Sequence, residues 1–308
     1  MNYSLDLIIP TYLPDQKLDL LLERIRKQSV QPNRILLLNT TVSGKEDIVT
    51  PYIEKYGVEV YQIGQKEFDH GGTRDYGASL SDADYLMFMT QDAVPVDSHL
   101  ISNLVKAFEE DAQISLCYAR QIAGKHGDVL EQYTRKFNYP DKDIVKGKED
   151  LETMGIKAFF CSDVCAVYKK TVYDELGGFV KKTIFAEDAI MAYHMIMADY
   201  KIKYSKDAKV MHSHNYTYMQ QFRRNFDVGV AHSQYNEIFG SVKSVPEGVK
   251  LVKETSRQMI EEKKYLQLVD LFFASGFKFL GYKFGCHYKS LPESIVLKMT
   301  SFKPYWNK

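Results

Sequence analysis

The stretch Tyr85-Leu-Met-Phe-Met-Thr-Gln-Asp-Ala93 decides the fold. Its first five residues form an unbroken apolar run, which is typical of a strand buried on both faces of a sheet. The polar residues Gln91 and Asp92 follow this strand. Ligands of open α/β sheets bind outside the carboxyl ends of the strands. The stretch therefore predicts a central strand that carries a carboxylate to a binding cleft.

Strands and helices alternate on both sides of this central strand. Apolar runs predict strands at Leu5–Ile9, Arg34–Leu38, Val58–Ile63 and Ile114–Ile122. Apolar residues at helical spacing predict helices at Leu18–Gln28, Ile48–Tyr56, Thr73–Ser81 and Asp97–Glu110, the last capped by Asp97 or Ser98. Such alternation predicts an α/β fold with a Rossmann-like, mostly parallel sheet flanked by helices.

The second half of the chain has a different character. Residues 123–155 are polar and irregular, which predicts a long excursion that shapes a binding site. Further helices are predicted at Thr171–Leu176, ended by Gly177-Gly178, and at Asp188–Tyr200, and a last strand at Lys209–His212. After Tyr216 the pattern is that of helices alone. We therefore expect an α/β domain at residues 1–216 and a C-terminal helical extension at 217–308.

Composition excludes some classes of partner and site. The 308 residues carry 26% charged side chains and no net charge, so no global field recruits nucleic acid. Four cysteines are few for this length, and no signal peptide precedes the first strand, which predicts a reducing, cytoplasmic location. Cys161 and Cys165 lack the usual zinc-knuckle spacing and lie in an apolar run, so we expect them in the core.

Asp92 and the histidines His212 and His214 are candidate metal ligands, since each lies at a predicted strand end. A carboxylate oxygen and a neutral imidazole both suit a divalent cation such as Mg²⁺ or Mn²⁺. We expect two histidines at this spacing on a strand to face opposite ways, so that just one of them ligates. The alternatives are that Asp92 satisfies backbone donors in the turn before Pro95 and that the histidines are ordinary hydrogen-bonded residues.

Glu187 and Asp188 are adjacent acids at the start of a predicted helix. A helix N-terminus stabilises a carboxylate, and a carboxylate that faces a cleft can remove a proton from an attacking hydroxyl. Ordinary helix capping explains the same pair.

A glycine-containing segment follows the third predicted strand and reads Glu67-Phe-Asp-His-Gly-Gly-Thr-Arg-Asp-Tyr-Gly77. The glycines allow close backbone approach to a ligand, and Arg74 can reach a phosphate or a ribose. Alternatively the segment is a tight turn in which Arg74 pairs with Asp69 or Asp75. The glycine spacing matches neither a Walker loop nor a dinucleotide fingerprint, so neither ATP nor NAD is indicated.

Taken in order, these segments resemble the family 2 glycosyltransferases of the GT-A fold over about residues 5–230. Leu7-Ile-Ile-Pro-Thr-Tyr12 resembles the first strand and donor-binding turn of that family, Thr90-Gln-Asp-Ala93 its metal-binding motif, and Glu187-Asp188 its catalytic pair. Within the family, three segments resemble bacterial rhamnosyltransferases: Glu67–Arg74, His212-Ser-His-Asn-Tyr216 and Gln221-Phe-Arg-Arg-Asn-Phe-Asp227.

The resemblance implies roles for individual residues. Asp188 is the expected base, with Glu187 orienting it, and Asp92 is the expected metal ligand, completed by His212 or His214. The expected donor-binding residues are Pro10, Thr11, Tyr12, Asn39, Arg74, Gln91, Asp92 and Arg224, the last of which would steady the diphosphate. The sequence departs from the family at Asn39-Thr40-Thr41, where an acidic pair is usual, and at Gln91, which replaces an acid. No Trp follows Arg224 as it does in the Gln-x-x-Arg-Trp motif of processive relatives.

The expected reaction is an inverting single displacement in which Asp188 deprotonates an acceptor hydroxyl and a metal-bound diphosphate leaves. The resemblance implies L-rhamnose as the sugar, dTDP-β-L-rhamnose as the donor, and a lipid-linked or cell-surface polysaccharide as the acceptor. Three alternatives stay open: a UDP-linked donor, a nucleotidyltransferase, and a non-catalytic sugar-nucleotide binding module. The turn Pro10-Thr-Tyr-Leu-Pro14 lacks the glycine-rich, lysine-containing loop usual in nucleotidyltransferases.

The segment from Leu266 to Phe284 is rich in apolar and aromatic residues, but Asp270, Lys278 and Lys283 interrupt it. It is too broken to span a bilayer. Because the tail is also basic, we expect an interfacial helix on the inner face of the plasma membrane, consistent with a lipid-linked acceptor. The alternative is a helix packed on the catalytic domain or on a second subunit of a homo-oligomer.

Overall fold

The computed structural model describes residues 3–124, 127–242 and 245–306. Within these residues nine strands form one sheet. They are β1 (Leu5–Tyr12), β2 (Arg34–Thr40), β3 (Glu59–Ile63), β4 (Tyr85–Met89), β5 (Val94–Pro95), β6 (Ile114–Ile122), β7 (Ile144–Lys146), β8 (Cys165–Lys169) and β9 (Lys201–Met211).

The α-helices of the same residues lie between these strands and after them. The first eight are α1 (Gln16–Ile25), α2 (Thr50–Tyr56), α3 (His70–Ser79), α4 (Leu100–Glu110), α5 (Val129–Asn138), α6 (Leu151–Met154), α7 (Lys170–Glu175) and α8 (Glu187–Met197). The others follow β9 and are α9 (Tyr218–Gln234), α10 (Asn236–Phe239), α11 (Val245–Glu261), α12 (Tyr265–Cys286) and α13 (Glu293–Met299). Short 3₁₀ turns occur at Glu46–Val49, Lys148–Asp150, Gly155–Phe159, Tyr288–Ser290 and Lys303–Trp306.

The strand order along the sheet is β3-β2-β1-β4-β8-β6-β9-β5, with β7 also paired to β9. Strands β1 to β4 run parallel to one another. Strand β8 is antiparallel to both β4 and β6, so β6 and its parallel neighbour β9 run in the direction of β4. Six of the nine described strands therefore share one direction, and the prediction of a mostly parallel α/β sheet is confirmed.

Strand β1 shows why the sequence folds into layers. Leu7 and Ile9 point to the face that α1 and α4 cover, whereas Ile8 points to the face that α3 and α8 cover. All three side chains are fully buried. A strand buried on both faces needs a continuous apolar run, which is the pattern that β1 and β4 have.

The C-terminal helices share the core of the sheet. Phe226 and Val230 of α9 belong to the same hydrophobic cluster as Ile8 of β1. The buried carboxylate of Asp227 accepts hydrogen bonds from Thr300 Oγ1 at 2.6 Å and from the Ser301 amide at 2.8 Å, which fixes the end of the chain against α9. Helices alone follow β9 in the described residues, as predicted, but packing is continuous across residue 216.

Two local predictions were wrong. Residues 123–155 are not an irregular excursion, because they contain α5, β7 and α6. Asp128 caps α5 by accepting from the Glu131 amide at 2.7 Å, and Tyr133 of α5 packs against Met259 and Leu271 from distant helices. Helix α4 begins at Leu100 with no side-chain cap, since Asp97 accepts only from the His99 amide in the preceding turn.

The structure confirms the predicted burial of two cysteines and lengthens the last predicted strand. Cys161 and Cys165 lie in the hydrophobic core as free thiols, as predicted. Strand β9 is eleven residues long and begins at Lys201, well before the predicted start at Lys209. Lysines and other polar residues interrupt its apolar pattern, but backbone pairing with β6 holds it in the sheet.

No helix among residues 3–124, 127–242 and 245–306 has the length and apolar character needed to cross a bilayer.

Helix α12 crosses α9 at a distance that only glycine permits. A Cβ atom added to Gly281 would stand 2.2 Å from the carbonyl oxygen of Phe222, and one added to Gly285 would stand 2.1 Å from that of Phe226. Gly229 of α9 faces the backbone of α12 in the same way. These glycines fix the position of α12 on the protein.

We predict that Gly281→Ala lowers the free energy of unfolding by about 1–3 kcal/mol, because the backbone of α9 must move to admit a methyl group. Gly276→Ala is the matched control on the same helix, since a Cβ there meets nothing within 4 Å. It should stabilise the protein by about 0.5–1 kcal/mol through helix propensity. Urea denaturation of both variants tests this, and equal midpoints would contradict the close crossing.

Candidate active site

Asp92, His212 and His214 converge at the carboxyl edge of the sheet. Their ligating atoms lie within 4.8 Å of one another, and they form the one group of this kind in the described part of the chain. The distance to Asp92 Oδ1 from His212 Nε2 is 3.5 Å, and that to Asp92 Oδ2 from His214 Nε2 is 3.4 Å. The two Nε2 atoms are 2.9 Å apart. Both histidines therefore face the same point.

The expectation that the two histidines face opposite ways was wrong. Residues two positions apart in an extended chain lie on the same face, because side chains alternate with a period of two. His212 and His214 directly follow the end of β9 at Met211, and both rings lie beside Asp92. Their planes are nearly perpendicular, with centroids 4.5 Å apart.

Gln121 sets the orientation of the His212 ring and was not predicted from the sequence. Its Oε1 lies 3.0 Å from His212 Nδ1 and also accepts from Arg135 of α5. Its Nε2 donates to Tyr139 and Ser162, so the amide orientation is determined. Arg135 Nη2 also lies 3.3 Å from His212 Nδ1, so Gln121 and Arg135 together hold the ring with Nε2 directed at Asp92 and His214.

These three side chains could hold a divalent cation. Two imidazole nitrogens and a carboxylate oxygen within 4.8 Å of one another are close enough to bind one cation, each nitrogen through its lone pair. Burial opposes the charge of Asp92, but the hydrogen bond from His212 and the nearby His214 and Lys17 lower its pKa below the usual value. Burial and the neighbouring His212 lower the pKa of His214 to about 4, so its ring is neutral and able to ligate at pH 7.

Asp188 lies in the first turn of α8 and is partly exposed. One carboxylate oxygen accepts from the amide of Ala189 at 2.8 Å, and the other from the amide of Asp163 at 3.3 Å. Burial of the carboxylate and the adjacent charge of Glu187 raise the pKa of Asp188 to about 6. The carboxylate is therefore more basic than an ordinary aspartate and still ionised at pH 7.

Arg74 does not reach toward the cleft as predicted. It is 6% exposed, and its Nη1 lies 3.0 Å from Glu187 Oε1 and donates to the His70 carbonyl at 2.9 Å. Its Nε lies 3.7 Å from Asp163 Oδ2. Burial opposes the guanidinium charge, but Glu187 and Asp163 outweigh it and raise the pKa of Arg74. Its partners are thus Glu187 and Asp163, neither of which the sequence indicated.

The proposed donor turn is tied to the central strand. The amide of Tyr12 donates to Gln91 Oε1 at 2.9 Å, and Gln91 Nε2 donates to the Tyr12 carbonyl at 3.0 Å. This reciprocal pair joins the end of β1 to the segment after β4, next to Asp92. The side chain of Gln91 therefore holds the turn by bonding to the backbone of Tyr12, and the ring of Tyr12 stays exposed.

Asn39 lies inside the sheet edge and not on the surface of the cleft. It is 1% exposed, accepts from Thr11 Oγ1 at 3.2 Å and donates to Gln62 Oε1 at 2.8 Å. Because these neighbours occupy its amide, the expectation that Asn39 reads a nucleotide base directly does not fit this placement. Pro10 is half-buried in the same strand end.

Arg224 connects the two halves of the site. Its guanidinium lies 4.7 Å from the ring of Phe185 and 5.8 Å from the ring of Tyr216, and the residue is exposed. Tyr216 in turn stacks on His214 at 5.0 Å. Phe185 lies two residues before Glu187, so Arg224 lies between the segments that carry Asp188 and His214 and can offer its charge to an anion there.

The segment 162–164 links Asp188 to the histidine cluster. Gln121 Nε2 donates to Ser162 Oγ at 2.9 Å, and the amide of Asp163 donates to Asp188. The carbonyl of Val164 accepts from the Thr90 amide at 3.2 Å, two residues before Asp92. The carboxylate of Asp188 and the Asp92 cluster therefore belong to one sheet edge.

Known proteins resemble this chain in sequence. Residues 6–177 match the family described as glycosyl transferase family 2. The chain belongs to this family. It is 38% identical to the O-antigen chain rhamnosyltransferase RfbN of Salmonella typhimurium over 99% of this chain and 96% of that protein. It is 34% identical to the O-antigen chain rhamnosyltransferase WbaN of Salmonella anatum over the same shares.

Solved structures share the fold of this family 2 glycosyltransferase. The mannosyltransferase PcManGT of Pyrobaculum calidifontis, in complex with GDP-Man and Mn²⁺, aligns with a TM-score of 0.59 at 15% identity, over 100% of this chain and 83% of PcManGT. Residues 1–349 of S. aureus TarS align with a TM-score of 0.57 at 12% identity, over 94% and 93% of the two chains. The GT-A fold expected from the sequence is confirmed.

We predict that Arg74→Met destabilises this glycosyltransferase by about 3–5 kcal/mol, because it leaves the buried carboxylates of Glu187 and Asp163 without a cation. Arg257→Met is the control, since Arg257 pairs with Glu261 in an exposed position and should cost at most about 1 kcal/mol. Adding Glu187→Gln to Arg74→Met should recover part of the loss. Chemical denaturation of the three variants measures this, and equal losses at Arg74 and Arg257 would exclude a special role for the buried pair.

Proposed function

We propose that this glycosyltransferase transfers L-rhamnose from dTDP-β-L-rhamnose to an O-antigen-type glycan on a lipid carrier, with inversion at the anomeric carbon. The observation that carries the proposal is similarity along nearly the whole chain to two O-antigen chain rhamnosyltransferases. The geometry supports it, because a base and a cluster of potential metal ligands lie at one edge of the sheet. An inverting displacement requires a base on the acceptor side and a cation on the side of the leaving group.

Asp188 is the proposed base. An acceptor hydroxyl transfers its proton to a carboxylate oxygen of Asp188 while the hydroxyl oxygen bonds to the anomeric carbon and the bond from that carbon to the diphosphate breaks. The pKa of about 6 makes the Asp188 carboxylate more basic than a free aspartate while leaving it ionised at pH 7. Glu187 raises that basicity and is held in place by Arg74.

Asp92, His212 and His214 are the proposed ligands of Mg²⁺ or Mn²⁺, which would supply positive charge to a departing diphosphate. The Mn²⁺ in the PcManGT complex supports a divalent cation in this fold. Arg224 adds a second positive charge and steadies the same diphosphate from the side of Phe185. The divalent cation and Arg224 would both stabilise the negative charge of the leaving diphosphate, and neither acts on the acceptor.

The donor nucleotide is proposed to lie along the turn Pro10–Tyr12. Gln91 holds this turn by its two backbone bonds, and Thr11 is held by Asn39. The exposed ring of Tyr12 offers a flat apolar surface for a base. Asn39 and Arg74 then act on the donor indirectly, by fixing the residues that contact it.

A panel of nucleotide sugars tests the donor. In the presence of Mn²⁺ we predict slow release of dTDP from dTDP-β-L-rhamnose without any acceptor, at least about tenfold faster than release from UDP- or GDP-linked sugars. Faster release from a UDP-linked sugar would replace the proposed donor. Binding without release from any member of the panel would contradict an enzyme and favour a binding module, and pyrophosphate formation would indicate a nucleotidyltransferase.

Asp188→Asn should lower the transfer rate by a factor of about 10² to 10⁴, because the amide cannot accept the proton, while donor affinity measured by calorimetry stays within about twofold. Asp97→Asn, in an exposed turn, is the control and should leave the rate unchanged. A fully active Asp188→Asn variant would exclude Asp188 as the base.

Mn²⁺ titration tests the cation site separately from activity. Asp92→Asn should weaken Mn²⁺ binding at least about tenfold, and Gln121→Leu by about 10- to 100-fold, since the latter frees the ring of His212. His99→Gln, before α4 and outside the site, is the control. Unchanged Mn²⁺ affinity in both test variants would place the cation elsewhere.

A further inference from the structure

Helix α12 presents an exposed apolar face along most of its length. Seven large apolar side chains on it are between 50% and 83% exposed, which is unusual for residues of this size. They are Tyr265, Leu266, Val269, Phe272, Phe273, Phe279 and Leu280. Their spacing of three, four and seven residues places them on one side of the helix, which we call the α12 face.

The protein holds the α12 face outward. The glycines Gly281 and Gly285 seat the helix on α9 by its other side, so rotation of α12 would force side chains into the α9 backbone. Tyr218 of α9 contacts Phe273 at the edge of this face, and each of the seven side chains is still at least 50% exposed. The exposure is therefore built into the packing of α9 and α12.

Lysines lie at the C-terminal end of the α12 face. Lys283 and Lys289 are exposed there, whereas at the N-terminal end Lys263 and Lys264 are balanced by Glu261 and Glu262. The ammonium group of Lys283 lies 5.8 Å from the centre of the Phe279 ring. Between residues 265 and 306 there are five lysines and two acidic residues. An apolar face with cations at one end suits a helix that lies flat in an interface and contacts anionic headgroups there.

We propose that the α12 face docks this protein on an anionic lipid bilayer, with Phe272 and Phe279 inserted among the acyl chains. A second copy of the chain fits the face less well. Lys283 lies among its aromatic side chains, and a dry interface between subunits would remove its charge from water at considerable cost. On a bilayer the same side chain can extend to the headgroups while its stem stays in apolar surroundings.

The opposite side of α12 lines a pocket beside the active site. Asp270 and Lys278 of α12 face this pocket together with Tyr218 of α9 and with His214 and Tyr216 of the site. An α-helix is about 10 Å across, so docking of the α12 face would bring the pocket to within about that distance of the lipid surface. If the proposed function holds, a glycan on a membrane-embedded carrier would meet the pocket directly. Docking itself does not depend on that function.

Flotation of the full chain with vesicles tests the proposal. We expect the protein to float with phosphatidylglycerol-containing vesicles and to remain largely unbound with phosphatidylcholine alone. The double variant Phe272→Glu/Phe279→Glu should lower the bound fraction at least about tenfold, because two inserted rings are replaced by charges that anionic lipid repels. Ile53→Glu, at a similarly apolar exposed position on α2, is the matched control and should bind like the unaltered protein.

Other results would overturn docking. Equal flotation of the double variant and the unaltered protein would exclude the α12 face. Absence of flotation, together with a dimer in sedimentation that Phe272→Glu/Phe279→Glu dissociates, would assign the face to a second copy. Thermal melting checks that the double variant is folded, and dTDP release from the donor without vesicles should be the same in both proteins. That release reports on the transfer chemistry alone, so a failed donor test and a failed docking test can be told apart.

Discussion

The buried guanidinium of Arg74 is the constraint on which the catalytic side of the structure depends. Asp163, Glu187 and Asp188 bring three acidic side chains close together in a region with little water. Burial raises the pKa of Asp163 well above its usual value and also raises that of Asp188, so charge in this region is stabilised only where a cation lies close. Arg74 supplies this cation from α3, contacting Glu187 at 3.0 Å and Asp163 at 3.7 Å. The glycines before it allow this, since a Cβ at Gly71 would lie 1.9 Å from the Val180 carbonyl.

On the histidine side of the site, the position of the His212 ring depends on the neutral side-chain amide of Gln121 and not on a charged residue. Gln121 Oε1 accepts from Arg135 and lies at hydrogen-bond distance from His212 Nδ1. Gln121 Nε2 donates to Tyr139 and Ser162. An amide holds the His212 ring without adding a negative charge that would compete for a cation. The two sides meet at residues 162–164, so a shift of that segment would displace Asp188 and Gln121 together.

Much of the fold and part of the site could be predicted from the sequence, and the reason differs from element to element. Strands β1 and β4 are buried on both faces, so their apolar runs are unambiguous, and Asp92 follows from the end of β4. Helix α5 was missed because its stability comes from contact of Tyr133 with helices over a hundred residues away. The partners of Arg74 were missed for the same reason, since 113 residues separate it from Glu187. Local patterns cannot encode pairs of this kind.

The C-terminal helices show how one packing solution can serve two requirements. Close contact of α9 and α12 leaves no room for a side chain at Gly281 or Gly285, so the large apolar residues of α12 lie on its flanks and outer side. One of those sides borders the pocket next to His214, and another carries the α12 face. A looser crossing would let α12 bury its aromatic side chains against α9, and the pocket wall would move with them. The glycines therefore determine both what α12 exposes and how far that surface lies from the site.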